Sequence, residues 1–173
     1  MDNRFTKGYL LPDLNYKKIK ELNYIRKPVP VFQEEQWRTQ GYRHEYVNGC
    51  VYNMGEPESW CKEQLGIITN KLNLKNCGFS FYKMSTMEVM PVHSDHYETY
   101  SKVFNIKTED IFRAIVFLQP WKSGHYFEID NTPITNWIKG EYVLWQGDVP
   151  HMAANIGLED RYTLQITGIK NGL

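Results

Sequence analysis

The 173-residue chain reads as a mainly β domain, a β-sandwich or jelly-roll barrel with one supporting helix. Three observations predict this. After Gly78 short apolar segments recur almost to the end, alternating or nearly so, as strands with one buried face do. Turn signals punctuate them at Lys122-Ser123-Gly124, Asn131-Thr132-Pro133, Lys139-Gly140, Gly147-Asp148 and Ile156-Gly157. Ahead of them lies a single stretch with helical period. Short strands with regular turns and one preceding helix define that class, and the length suits one domain, residues 1–173.

Residues 1–55 mix charges and Tyr with Pro28 and Pro30 and show no sustained period, so short extended pieces and turns peripheral to the core are expected. Trp37, Tyr42 and Tyr46 are expected to pack against a sheet rather than line a substrate mouth. Residues 56–76 predict a supporting helix: Cys61, Leu65, Ile68 and Leu72 form one apolar stripe. Pro57 suits the first turn, Glu56 and Glu58 the positive end of the dipole, and Asn76 and Gly78 the exit.

Residues 79–170 make up the predicted jelly-roll core. FRAIVFLQPW is nearly continuously apolar, as a strand covered on both faces is. GHYFEID, EYVLWQ and RYTLQITG alternate or nearly so. Residues 97–110, polar and aromatic, are too irregular for a core strand and predict a lid.

Composition narrows the function. Lys plus Arg and Asp plus Glu are 20 each, so bulk charge offers nothing to a polyanion and a nucleic-acid partner is not expected. Cys50, Cys61 and Cys77 show no CxxC spacing, which favours free thiols in a reducing compartment and offers no zinc site. No apolar run approaches the roughly 20 residues of a membrane span, and the N-terminus lacks a signal-type apolar region. A cytoplasmic protein acting on a small molecule or peptide is expected, its oligomeric state open.

The chemistry concentrates in three places. His93 and Asp95 are two residues apart, so on a strand both side chains leave one face while Ser94 points away. His151 lies 58 residues on. Two histidines and one carboxylate bind Fe(II) on one face and leave positions open for substrate and oxygen. Arg161 then reads as the holder of a carboxylate, through a planar bidentate guanidinium. With a turn near Ile156, His151 and Arg161 are expected to pair across a hairpin. In RYTLQIT one face carries Arg161, Thr163, Gln165 and Thr167, the expected wall of a polar cavity; the other carries Tyr162, Leu164 and Ile166, expected to pack against the helix.

These residues resemble the pattern of the 2-oxoglutarate/Fe(II)-dependent oxygenase superfamily: HxD, a distal His, then an Arg about ten residues later, often as Arg-x-Ser. Here they are His93, Asp95, His151, Arg161 and Thr163. Within it the chain is most similar to the aspartyl/asparaginyl β-hydroxylase and free-proline hydroxylase group, through Trp137, Gly140, His151 and Arg161 at that group's spacings, and through Phe81, Tyr82 and Met84 on its F-S-x-L stretch. The resemblance covers about residues 79–168. It implies a double-stranded β-helix, cupin-like in its jelly roll. It also implies Fe(II) as cofactor, 2-oxoglutarate as co-substrate, O₂ as oxidant, and hydroxylation of an unactivated C–H in an amino acid, peptide side chain or small metabolite.

The same resemblance implies Tyr82 as a 2-oxoglutarate hydroxyl contact and Arg113 as the group at the metal-side carboxylate, although the group's His after that Arg is Ile115 here. His125, Trp121 and Tyr97 are expected substrate contacts. Two other readings use parts of the pattern. AlkB-type nucleic-acid demethylases continue R-x-N-x-T-x-R, where this chain has Thr163, Gln165 and Thr167. A non-catalytic cupin-like binding module has no need of Arg161.

Overall fold

The computed structural model describes residues 4–10, 13–26, 28–47 and 49–172. In chain order the elements begin with β1 (Phe5–Tyr9), α1 (Tyr16–Glu21), β2 (Ile25–Arg26), α2 (Val31–Thr39), β3 (Cys50–Met54) and α3 (Lys62–Lys71). There follow β4 (Leu74–Met84), β5 (Glu88–His93), α4 (Glu98–Phe104) and β6 (Phe112–Phe117). The chain closes with β7 (His125–Ile129), β8 (Thr132–Ile134), β9 (Glu141–Gln146), β10 (His151–Asn155) and β11 (Arg161–Lys170).

The strands form two antiparallel sheets, a seven-stranded one in the order β1-β9-β6-β11-β4-β3-β2 and a four-stranded one in the order β5-β10-β7-β8. This is the mainly β, jelly-roll fold expected of the strand pattern. The β7–β8 turn falls one residue ahead of the Asn131-Thr132-Pro133 signal, with Thr132 and Pro133 already in β8. Ile129 pairs with Thr132, so Asp130 and Asn131 form a two-residue loop, and both take positive φ, 49° and 57°, as a type I′ hairpin requires.

Period-2 alternation separates two cores. The outer face of the larger sheet carries Phe79, Phe81, Ala114, Val116, Leu144, Tyr162, Leu164 and Ile166, packed with Ile19, Cys61, Leu65, Ile68 and Leu72. Residues of the predicted helical stripe are thus buried against the sheet, each large side chain contributing about 1.5–3 kcal/mol. Between the sheets a second cluster gathers Phe117, Phe127, Ile129, Trp137, Val143, Trp145 and Val149. The site lies on the same inner faces.

The structure corrects three expectations. The helix starts at Lys62, because Glu58 does not act as an N-terminal residue: its carboxylate is taken by the Tyr52 hydroxyl and by Trp60 Nε1. It also ends earlier, at Lys71, with Leu72 as its C-cap and Asn73 turning left-handed at φ 55°, so β4 is already under way before Gly78. The N-terminal segment is no mere decoration: β1 pairs with β9, β3 with β4, and Phe5 joins the inner core.

The third correction concerns His151 and Arg161. They are not hairpin partners: β10 pairs with β5 and β7, whereas β11 pairs with β4 and β6. The connection crosses from one sheet to the other. Buried Asn155 staples it, donating to the carbonyls of Met84 and Glu159 at 2.9 Å each and accepting from Gly157 N at 3.0 Å. Glycine is required at the crossing, since a Cβ on Gly157 would lie 2.2 Å from the Ser123 carbonyl oxygen. The two residues therefore face each other across the interior.

Candidate active site

His93 ends β5 and His151 begins β10, directly opposite each other in the antiparallel pair, with a bulge before Ala153. Their ring centroids are 4.3 Å apart. Asp95 lies just beyond the strand end, and one ligand atom from each of His93, Asp95 and His151 lies within 4.8 Å of the others. Bulges beside a site of this kind re-aim side chains.

The backbone sets the imidazole tautomers. His93 Nδ1 lies 2.8 Å from the Pro91 carbonyl oxygen and His151 Nδ1 lies 2.9 Å from that of Val149. With Nδ1–H donating to those carbonyls, each Nε2 is left as a lone pair for a metal. Burial first, and for His151 the neighbouring His93 second, lowers both imidazole pKa values, that of His151 to about 4. Both rings are therefore neutral near pH 7, the form that ligates. The donor set fits Fe(II): two neutral imidazoles and one carboxylate on one side of a cavity.

Arg161 lines the same cavity as the triad and is 5% exposed. Across the ladder it faces Met84, whose Sδ lies 3.4 Å from Nη1, and its guanidinium sits 5.9 Å from the ring centres of Phe127 and of Trp137. Among the described residues no carboxylate forms an ion pair with it, and Nε has no hydrogen-bond partner. Burial brings its pKa down to about 10. A cation buried without a counter-charge is costly, and a bound carboxylate removes that cost.

This inner cavity, of about 90 Å³, is lined by His93, Asp95 and His151 together with Tyr82, Thr163, Gln165 and Arg161. Met84, Ile115, Phe127 and Ala153 supply its apolar wall. Thr163 pairs with Tyr82 across β11 and β4, so both point into it. This brings together the triad, Arg161, Thr163 and Tyr82.

An outer cavity of about 600 Å³ opens from His93 and Asp95, bounded by residues 28–30, Phe32, Gln33, Trp37 and residues 93–100. Arg113 lines this outer cavity rather than the inner one. Its Nη2 lies 3.2 Å from Asp95 Oδ2 and its guanidinium 4.9 Å from the Tyr97 ring centre. Tyr97 is buried in a left-handed conformation, φ 52°, its hydroxyl donating to the Gly147 carbonyl, and burial raises its pKa to about 12. It lines the outer cavity and opens the predicted lid, which folds as α4 followed by a 3₁₀ turn.

His125 and Trp121 are not brought to either cavity. Trp121 Nε1 donates to the His125 carbonyl at 2.8 Å, and His125 Nε2 lies 2.9 Å from the Glu159 carbonyl while its ring stacks on Trp137. Trp121 Nε1 and His125 Nε2 are committed to the backbone, and His125 Nδ1 is buried away from both cavities, which corrects the expectation of substrate contact.

Trp37 was missed as a site residue. It is 2% exposed, its ring meets His93 edge-on at 6.0 Å, and Nε1 donates to the Val92 carbonyl. No periodicity around Trp37 signals this, because α2 reaches the site by tertiary placement. Met84 and Gln165 also line the inner cavity; the alternation of β11 marked Gln165, whereas an apolar Met84 carried no chemical signal.

No family model and no curated protein matches the sequence. In fold the chain is similar to a prolyl-4-hydroxylase from Pseudomonas putida, with 13% identity, coverage of 98% of this chain and 94% of that one, and a TM-score of 0.59. It is also similar to the viral collagen prolyl hydroxylase of Paramecium Bursaria Chlorella virus-1, a 2OG complex, with 9% identity, coverage of 97% and 98%, and a TM-score of 0.59. At such identities the likeness is one of fold.

Proposed function

We propose that the protein is an Fe(II)- and 2-oxoglutarate-dependent oxygenase that hydroxylates an unactivated C–H of a small molecule or peptide. One observation carries this reading. One cavity is lined both by a three-residue metal set and by a buried arginine that forms no ion pair with a carboxylate among the described residues. A five-carbon diacid that chelates a metal at one end and offers a carboxylate at the other satisfies both. The spacing of His93, Asp95, His151 and Arg161 supports the assignment, and that of Trp137 and Gly140 supports a place near the aspartyl/asparaginyl β-hydroxylase group.

Iron held there supplies the oxidation, coupling decarboxylation of 2-oxoglutarate to hydroxylation of the substrate. The chain supplies the rest. His93, Asp95 and His151 hold the metal; Arg161 takes the distal carboxylate in a bidentate grip, with the Thr163 and Tyr82 hydroxyls beside it. Burial raises the Tyr82 pKa, so its hydroxyl stays protonated and able to donate. Ile115, Phe127 and Ala153 exclude water, which strengthens the electrostatic grip. The substrate lies in the outer cavity, within the roughly 300–1,000 Å³ typical of sites for drug-sized ligands. The polar face of β11 presents Thr163, Gln165 and Thr167 after Arg161, and with zero net charge a nucleic acid is not the partner we propose.

The test is an anaerobic titration. Adding Fe(II) and then 2-oxoglutarate should produce the visible charge-transfer absorption of a chelated 2-oxo acid, absent in His93→Ala and His151→Ala. A wild-type spectrum unchanged by 2-oxoglutarate would overturn the assignment.

A further inference from the structure

Along β11 the residues after Arg161 mark the passage from one cavity to the other. Thr163 lines the inner cavity, Thr167 the outer one, and Gln165 both. Gln165 lies four residues beyond Arg161, about 13 Å along the strand, past the grip on the distal carboxylate and where the outer cavity begins. It is 9% exposed. A carboxamide offers two N–H donors and a carbonyl acceptor, and among the described residues nothing hydrogen-bonds to this one. Its polar atoms are open to the cavity, whereas Arg113 Nε is sealed.

The buried charges nearby are already matched. Arg113 pairs with Asp95 at 3.2 Å, and Glu98, the other acidic residue lining the outer cavity, is exposed in the first turn of α4. A zwitterionic amino acid would bring an ammonium and a carboxylate here at a desolvation cost for each and find each buried charge taken. Neutral polar groups line up instead. Gln165 pairs with Ser80 across β11 and β4, and Ser80 with Asn53 across β4 and β3, so the three share a face in one row. Ser80 Oγ donates to Asn53 Oδ1 at 2.6 Å. With strands about 4.8 Å apart the row spans about 10 Å, the length of about three residues of extended chain.

We propose that Gln165 is a specificity residue whose carboxamide takes the main-chain N–H and C=O of a substrate residue, so that the protein acts on a residue within a peptide and not on a free amino acid. This rests on the oxygenase reading above and narrows its substrate class. An extended main chain is neutral and carries one donor and one acceptor per residue, which are the partners the carboxamide lacks. The outer cavity suits such a chain. Trp37 and Tyr97 line it near the metal set. At its rim Phe32 is 62% exposed, with Val31, 80% exposed, beside it, an apolar ledge for side chains flanking the reacting residue.

The test uses the protein with redox-inert Zn(II) in place of iron and begins by titrating 2-oxoglutarate. Under saturating 2-oxoglutarate, protein NMR then measures binding of the peptides acetyl-alanyl-X-alanine amide, with X each of the common amino acids, and of each X as the free amino acid. For the tightest peptide, the amides before and after X are replaced in turn by esters, which removes one N–H and changes little else. At least one peptide should bind roughly 10-fold or more tightly than its free amino acid. One of the two esters should bind roughly 5- to 100-fold more weakly than the parent, because it leaves the buried Gln165 carbonyl oxygen without a donor. Gln165→Leu should erase the difference between that ester and its parent and leave 2-oxoglutarate affinity within about twofold.

If no peptide binds more tightly than its free amino acid, or if both esters match the parent peptide, the wild type alone overturns the proposal. So does a Gln165→Leu protein that keeps the difference between ester and amide, or one whose 2-oxoglutarate affinity falls by roughly tenfold or more, since that places Gln165 on the co-substrate. Failure of wild-type protein to bind 2-oxoglutarate at the first step instead removes the oxygenase reading, and this inference with it.

Discussion

Arg161→Met should make the ligand-free protein more stable and abolish its use of 2-oxoglutarate. Bringing the Arg161 pKa down to about 10 corresponds to a cost of about 3 kcal/mol for holding the charge in the fold. Methionine removes that cost and fills the space beside Met84 with another thioether. It also loses the placement near the Phe127 and Trp137 rings, each about 5.9 Å away, which at about 0.5–1 kcal/mol per ring offsets part of the gain. The net expectation is a stabilisation of about 1–2 kcal/mol.

The ligand then reverses the order. At a 2-oxoglutarate concentration about 100 times its Kd, binding adds about 2.7 kcal/mol to the wild type and nothing to the variant. Urea unfolding of the two zinc-loaded proteins, with and without 2-oxoglutarate, should therefore show the midpoints cross. A variant that is less stable without ligand, and that gains as much from 2-oxoglutarate as the wild type, would refute the reasoning: Arg161 would then be a structural cation with a partner of its own.

Three further outcomes are expected. His151→Ala should bind iron at well below the wild-type stoichiometry after anaerobic loading; equal stoichiometry would dissociate the triad from the metal. The metal-free protein should lose stability as pH falls. Burial lowers the pKa of His93, His125 and His151 below their unfolded values, so the unfolded chain takes up protons that the folded chain does not. Stability is then full above about pH 6.5 and declines toward the folded value of about 4 for His151, and a urea midpoint that is flat from pH 7 to about pH 5 would contradict this. Finally, hydrogen exchange in α4, which has no buried residue of its own, should slow when substrate binds. Protection already high in the free protein would make it a fixed wall.

The sequence conveyed the site better than the scaffold around it. His93, Asp95, His151 and Arg161 are chemically distinctive, and the alternation of RYTLQIT was enough to put Arg161, Thr163 and Gln165 on a cavity wall with Tyr162, Leu164 and Ile166 on the opposite face. Register between distant strands is another matter. Whether residues 156–160 close a hairpin or cross between sheets depends on Asn155 finding the Met84 carbonyl, a contact over 71 positions that no local pattern encodes. Trp37 was illegible for the same reason: α2 gains its meaning only when its indole meets His93. Arg113 was legible as a residue but not as a location, because which cavity it lines depends on the reach of its side chain toward Asp95. The helix start was misplaced by a local competition, Glu58 being taken by Tyr52 and Trp60 rather than by the first turn.

The central claim is that the triad and Arg161 together make a site where 2-oxoglutarate is oxidised by O₂. It is tested most directly by incubating iron-loaded protein with 2-oxoglutarate under ¹⁸O₂, with no other substrate, and analysing succinate by mass spectrometry. We predict slow formation of succinate carrying one ¹⁸O atom in its new carboxylate, dependent on iron and absent in His151→Ala and Arg161→Met. Formation of no labelled succinate above the level given by free iron, or equal formation by the wild type and both variants, would contradict it.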